Sequence, residues 1–244
     1  MRAMNLAVLR TDTRRASAEP AVPVAARNAA TCSADYALRI GALERIGTRA
    51  TITRGQTLFY EGDPADTIYK VVRGAVRISR VMADGRRYVA DFLFPGDLFG
   101  ISDEPYRTMT AEALCEAIVV RYPCRLFEGV VQEDRRLGRL IYGVLCGGLT
   151  SAHDRMLLLG RKSAVEKIAS FLLMMAERRC ADPVELPMPR ADIADYLGLT
   201  LETVSRILSQ LRAEGVIAMP DPVHIVLVRR TELESIADGA SANM

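Results

Sequence analysis

Two periodicities divide the chain. From Ile52 to Tyr122, short β-rich runs are separated by turn signals at Glu61-Gly62-Asp63, Arg73-Gly74, Asp84-Gly85 and Pro95-Gly96-Asp97. The glycines at 62, 74, 85 and 96 bring a turn every 11 or 12 residues, a rhythm that predicts short strands closed into an all-β sandwich or barrel. The alternation of Val76 and Ile78, and of Tyr88, Ala90 and Phe92, gives these strands one apolar face. Asp84-Gly85 suits a tight hairpin of type I′, whose two central positions both need positive φ.

Beyond Pro123 the period lengthens to that of helices. From about Gln132 to Gly160, the positions Ile141, Leu145, Gly148, Ala152, Arg155 and Leu159 follow alternating steps of three and four, the spacing of a coiled-coil seam. Gly147 and Gly148 would each cost about 1 kcal/mol in an isolated helix, and close approach of a second helix backbone would account for them. Packing against the chain's own barrel is the alternative. Roughly seven turns of helix exceed what one small barrel covers, so this segment is expected to be a dimerisation helix. A further helix is predicted from about Ser163 to Arg179, with Val165, Ile168, Phe171, Leu172 and Met175 on one side, before a connector stiffened by Pro183, Pro187 and Pro189.

The last third has the pattern of a winged helix-turn-helix. Pro189 to Leu197 predicts a short helix with Ile193, Ala194 and Leu197 facing inward; Gly198 supplies the left-handed stop and Thr200 the next N-cap. The following helix, from about Leu201 to Glu214, buries Val204, Ile207, Leu208 and Leu211 and presents Glu202, Thr203, Ser205 and Arg206, with Arg212 further along. Val216–Met219 and His224–Val228 flank Pro220-Asp221-Pro222 as a two-stranded wing.

A recognition helix contacts bases mainly through its first turns, which enter the major groove. Arginine can bond guanine O6 and N7, and a carboxylate can accept from cytosine N4. Glu202 and Arg206, four residues apart, can therefore pair with each other and address one G·C pair, with Ser205 adding a neighbouring hydrogen bond. A solvated ion pair is the plain alternative for the two charges. The preceding Gly198 turn and Thr200 cap favour DNA contact, and Arg190, Thr200, Glu202, Thr203, Ser205, Arg206 and Arg212 are the expected DNA-binding set.

Composition narrows the partners. In 244 residues, 32 Lys and Arg face 30 Asp and Glu, for a net charge of +2, so any polyanion binding must be local. Charged residues interrupt every apolar run before it could span a bilayer, so a soluble, cytoplasmic protein without a membrane partner is expected. Residues 1–33 are rich in Ala, Arg, Ser and Pro; their composition is that of a transit peptide, but Pro20 and Pro23 break a long amphipathic helix, leaving a disordered extension as the expectation. Ser33 can cap a short helix through about Gly47, with Leu38, Leu43 and Ile46 on one face.

Five scattered cysteines without a CxxC pair argue against a disulfide scaffold or structural zinc. Cys115, Cys124 and Cys146 are expected to be small buried hydrophobes. Cys180 follows Arg178 and Arg179, whose charges favour the thiolate while the helix C-terminus opposes it, making it the redox candidate. Catalytic carboxylate pairs, a nucleophile elbow, a phosphate-loop lysine and a metal triad are all missing from the sequence, so no enzyme is expected.

These residues resemble the Crp/Fnr family of bacterial transcription regulators over about residues 36–236. The resemblance is carried by Glu61-Gly62-Asp63, Tyr69-Lys70-Val71-Val72-Arg73-Gly74, Phe94-Pro95-Gly96-Asp97-Leu98-Phe99-Gly100 and the stretch from Asp192 to Arg206. It implies an α+β chain: a cyclic-nucleotide-binding-type β-roll (jelly roll) over 34–130, a dimerisation helix over 131–160, a winged helix-turn-helix over 161–236 and a tail over 237–244. Glu202-x-x-Ser205-Arg206 matches the Fnr and FixK set, and Leu201 stands where cAMP-responsive members carry a further arginine. Asp84-Gly85-Arg86-Arg87, Thr110-Ala111-Glu112-Ala113 and Leu157-Leu158-Leu159-Gly160-Arg161-Lys162 point to the FixK branch.

The resemblance implies a homodimer on a TTGA-N6-TCAA type palindrome, working with RNA polymerase, usually as an activator of microaerobic, anaerobic or nitrogen-fixation genes. A cyclic-nucleotide-responsive regulator and an oxygen-sensing Fnr-like regulator are the alternatives. Fnr proper holds a 4Fe–4S cluster on four thiolates; here only Cys32 is N-terminal, and Val120 stands at the roll position. Cyclic-nucleotide binders hold the ribose with a carboxylate where this chain has Ile101, while Arg107-Thr108 is retained, with Arg107 expected to pair with Asp103 or Glu104 instead. No cofactor is expected.

Overall fold

The computed structural model describes residues 43, 45–179 and 183–239. The expected extension over 1–33, most of the helix from Ser33, Cys180 and the last five residues lie outside them.

Eight strands build the roll: β1 (Thr48–Ile52), β2 (Thr57–Phe59), β3 (Thr67–Arg73), β4 (Val76–Val81), β5 (Arg87–Leu93), β6 (Leu98–Phe99), β7 (Thr110–Ala113) and β8 (Ala117–Pro123). They form two four-stranded antiparallel sheets, ordered β1-β8-β3-β6 and β2-β7-β4-β5. Ile52, Phe59, Tyr69, Val71, Val76, Leu93, Phe99 and Val119 fill the space between the sheets. Gly74, between β3 and β4, has φ +85°, and a Cβ there would lie 2.5 Å from the Glu116 carbonyl, so the turn requires glycine.

Two local expectations are corrected. The β4–β5 connection is a three-residue loop: the Met82 N–H donates to Arg86 and the Gly85 N–H to Met82, with Gly85 alone at positive φ. That is a type I turn closed by a glycine bulge, so Asp84 need not adopt the left-handed conformation a type I′ turn demands. On β5, a register shift between Ile78 and Ser79 brings Val89 and Phe92, three residues apart, into one buried cluster. The bulge re-aims the strand, and Tyr88, expected on the same face as Phe92, is 37% exposed.

Two helices follow. In α1 (Cys124–Glu133) Phe127 is buried, and Asp134 then interrupts the backbone and caps α2 (Arg135–Arg161), accepting from the N–H groups of Arg136 and Leu137 at 2.8 and 3.3 Å. At 27 residues, α2 is about 40 Å long. Its first turns pack Leu137 and Ile141 against Ile68, Val120, Tyr122 and Phe127. None of the described helices is long and apolar enough to cross a membrane.

The remaining elements are α3 (Ala164–Arg179), β9 (Val184–Glu185), α4 (Arg190–Leu197), α5 (Leu201–Ala213), β10 (His224–Ile225) and α6 (Arg230–Ala237). The wing is short: Ala218 and Val226 exchange two backbone hydrogen bonds, and β10 pairs with β9. One continuous core, including Val89, Phe92 and Phe94 from the roll, Phe171 and Leu172 from α3, and Tyr196 and Leu197 from α4, joins the two halves of the molecule. The long helix ends at Arg161, but the packing continues across that point.

Candidate nucleic-acid interface

The helix-turn-helix is built as its residues dictate. Gly198, at φ +62°, ends α4, and its neighbour Leu199 donates its N–H to the Ala194 carbonyl. Thr200 then caps α5, its Oγ1 accepting from the Thr203 N–H at 3.2 Å. Val204, Ile207, Leu208 and Leu211 are buried, which turns the opposite stripe of α5 outward.

On that stripe Glu202 and Arg206 are exposed, and Thr203 and Ser205 are partly so. The two charges do not pair with each other. The Glu202 carboxylate turns to its own backbone N–H and the Thr200 hydroxyl, which hold it below the usual carboxylate range. Folding back onto the helix terminus is favourable for an anion, because the first N–H groups lack intrahelical partners. Arg206 is thereby left without an ion pair among the described residues, as are Arg190 and the exposed Arg212. Other cations nearby are engaged: Arg229 holds the Gly215 carbonyl and Glu232, and Arg230 bonds Glu234.

Arg190 opens α4 and lies beside a shallow cavity of about 250 Å³ lined by Pro189, Ile193, Leu208 and Met219. Its guanidinium stands apart from the α5 stripe in sequence, one helix earlier. Thr200, Glu202, Thr203, Ser205 and Arg206 thus share one helix end, with Arg212 two turns further along α5.

The expected seam residues separate into two sets. Ile141 is 7% exposed within its own chain, Arg155 reaches the roll and α4, and Leu159 lies against Gly198. Leu145, Gly148 and Ala152 face outward with Tyr142, Leu149 and Met156. Tyr142, Leu145, Leu149, Ala152 and Met156, spaced in steps of three and four, form the exposed stripe, while Ile141 is turned to the chain's own roll.

In the roll, the Arg107 guanidinium is buried, donates to the Gly100 carbonyl at 2.7 Å and to the Thr67 carbonyl, and lies 4.4 Å over the Phe59 ring. It pairs with neither Asp103 nor Glu104. The Gly100 and Thr67 carbonyls take up the buried guanidinium, whereas Asp103 and Glu104 stay in solvent, where an ion pair gains little. Cys124 is half-buried, with its thiol on the Ala65 carbonyl, and Cys115 is half-buried too, whereas Cys146 is exposed on α2.

A roll carrying a long helix with an exposed apolar heptad stripe, followed by a winged helix-turn-helix with an unpaired arginine on its second helix, defines a DNA-binding regulator of transcription. Profiles for the Crp-like helix-turn-helix domain and the cyclic nucleotide-binding domain match residues 166–236 and 49–134. The nitrogen fixation regulation protein FixK of Bradyrhizobium diazoefficiens is 39% identical over 200 residues, spanning 80% of this chain and 84% of the relative. The transcriptional activator protein FnrL of Cereibacter sphaeroides is 34% identical over 210 residues, covering 82% and 85%. The structure of FixK2 from Bradyrhizobium japonicum superposes with a TM-score of 0.74 at 40% identity, covering 78% of this chain and 97% of that one. The chain belongs to the Crp/Fnr family, and within it is similar to the FixK proteins.

Sequence reasoning missed the groups that tie the two halves together: Arg77 and Arg87 on the roll, and Asp192 and Asp195 on α4. Asp192 and Asp195 stand three apart on a short helix that otherwise buries Ile193, Ala194, Tyr196 and Leu197, and that placement of acid on a buried face was the available signal.

Proposed function

We propose that the protein binds a TTGA-N6-TCAA type palindrome as a homodimer and, working with RNA polymerase in the cytoplasm, activates genes of microaerobic, anaerobic or nitrogen-fixing metabolism. The observation that carries this is the end of α5, where Glu202, Ser205 and Arg206 are free of competing ion pairs and held by a capped helix. Arg206 reaches guanine O6 and N7, and Glu202 swings from its cap to accept from a cytosine amine. Two copies meet along Tyr142, Leu145, Leu149, Ala152 and Met156, and Gly148 lets the helices approach closely. Arg190, Thr200, Thr203 and Arg212 contact phosphates and fix the register.

The same molecule works without a small effector. Arg107, the cation a cyclic phosphate would need, already donates through both Nη atoms to two carbonyls and lies over an aromatic ring. A cyclic phosphate would have to break those contacts to bind there.

Titration of labelled duplexes with the Arg206→Ala protein tests the base contact. The loss on the cognate half-site is expected to be about 1–3 kcal/mol, with little change on random DNA. Equal losses on both would mean that Arg206 contacts only the backbone.

A further inference from the structure

A group of buried charges lies away from α5, where α4 meets the roll. Asp192 is 0% exposed, and Arg77 Nη1 donates to both of its oxygens at 2.7 Å. Arg77 Nη2 is held by Glu112 of β7, also at 2.7 Å. Arg87, at the start of β5, donates to Asp192 at 2.5 Å through Nη2 and to Asp195 at 2.8 Å through Nε. Burial pulls the Arg87 pKa down, and the two aspartates more than offset it, so this guanidinium stays charged.

The long helix joins the same junction. The Arg155 guanidinium lies 4.0 Å over the Tyr196 ring and 5.3 Å from Tyr88, and donates to the Val89 carbonyl. Arg178 of α3 adds bonds to Asp91 at 3.0 Å and Asp97 at 2.8 Å, back on the roll. Roll, dimer helix and helix-turn-helix are therefore linked through four arginines.

We propose that Arg77 and Arg87, by gripping Asp192 and Asp195, are positioning residues that set the spacing between DNA half-sites the protein accepts. The apolar contact of Phe92 with Tyr196 and Phe171 is non-directional and tolerates rotation of one half of the molecule over the other. Forked, charge-assisted hydrogen bonds do not tolerate it, because their strength depends on alignment. With Arg155 in the junction, the orientation of α4 and α5 is fixed relative to the helix that carries the dimer axis. One base pair more or less between half-sites turns one of them by about 35° and moves it about 3.4 Å. A swivelling domain would follow such a change, and a gripped one would not.

The inference rests on the dimer and palindrome proposed above. Its test is a set of duplexes with four to eight base pairs between TTGA and TCAA, titrated with the parent, Arg87→Gln, Asp195→Asn and Arg77→Met proteins, each first verified as a folded dimer. The parent is expected to favour six base pairs over five or seven by about tenfold, and the variants to compress this to about threefold while keeping the parent's affinity for random DNA. Arg87 and Asp195 side chains are 31% and 30% exposed, so those variants decide the matter if Arg77→Met does not fold. A parent with one preferred spacing and folded variants with the same preference would overturn the inference alone. A parent indifferent to spacing would overturn the palindrome and the inference with it.

Discussion

Glu202 and Arg206 stand one turn apart on α5, and the order of their partners decides what each can do. Glu202 is held by a backbone N–H and the Thr200 hydroxyl, so its carboxyl ionises below the usual carboxylate range. A depressed folded value favours the ionised form: any contribution to stability is present above the unfolded value and lost as pH falls through the folded one. Because the group is fully solvent-exposed, the consequence belongs to function instead. The ratio of cognate to random DNA affinity, measured by anisotropy at constant salt, is expected to stay flat between about pH 5.5 and 7.5 as far as Glu202 is concerned. A loss in that window that Glu202→Gln abolishes would mean the carboxylate takes up a proton far earlier than its surroundings allow.

At the scale of elements, the periods in the sequence foretold the kinds of structure better than their faces. Turns at Gly62, Gly74, Gly85 and Gly96 are all present with positive φ, because local backbone demands are written in local residues. The helix-turn-helix was legible for the same reason, from Gly198 and Thr200. What the pattern concealed was where one element meets another. The bulge on β5 and the burial of Ile141 against the roll both follow from tertiary packing, which no period records. Ile141 and Leu145 look alike in sequence, but only Leu145 is left exposed once the roll has covered its side of α2. Leu149, 60% exposed, is therefore the better probe of the dimer. Leu149→Glu places like charges across a two-fold contact and is expected to give a folded monomer by light scattering, with cognate affinity reduced at least about a hundredfold through loss of the second half-site. A dimer of undiminished stability would place the contact elsewhere.

For the molecule as a whole, a net charge of +2 is shared by a chain that spends five of its arginines on internal contacts in and around the roll. Arg77, Arg87, Arg155 and Arg178 join the roll to the reading domain, and Arg107 braces the roll. Because 30 acidic residues nearly balance 32 basic ones, non-specific binding is expected to be modest and affinity to depend on sequence. In the proposed dimer, each protomer reads a half-site through Glu202, Ser205 and Arg206. Selection of binding sites from random duplexes, with the parent and Arg206→Ala proteins side by side, checks this reading. The parent is expected to enrich paired TTGA and TCAA half-sites about one helical turn apart between centres, and the variant to lose preference at the guanine. Enrichment of single half-sites, of an unrelated sequence, or of the same guanine by both proteins would contradict it.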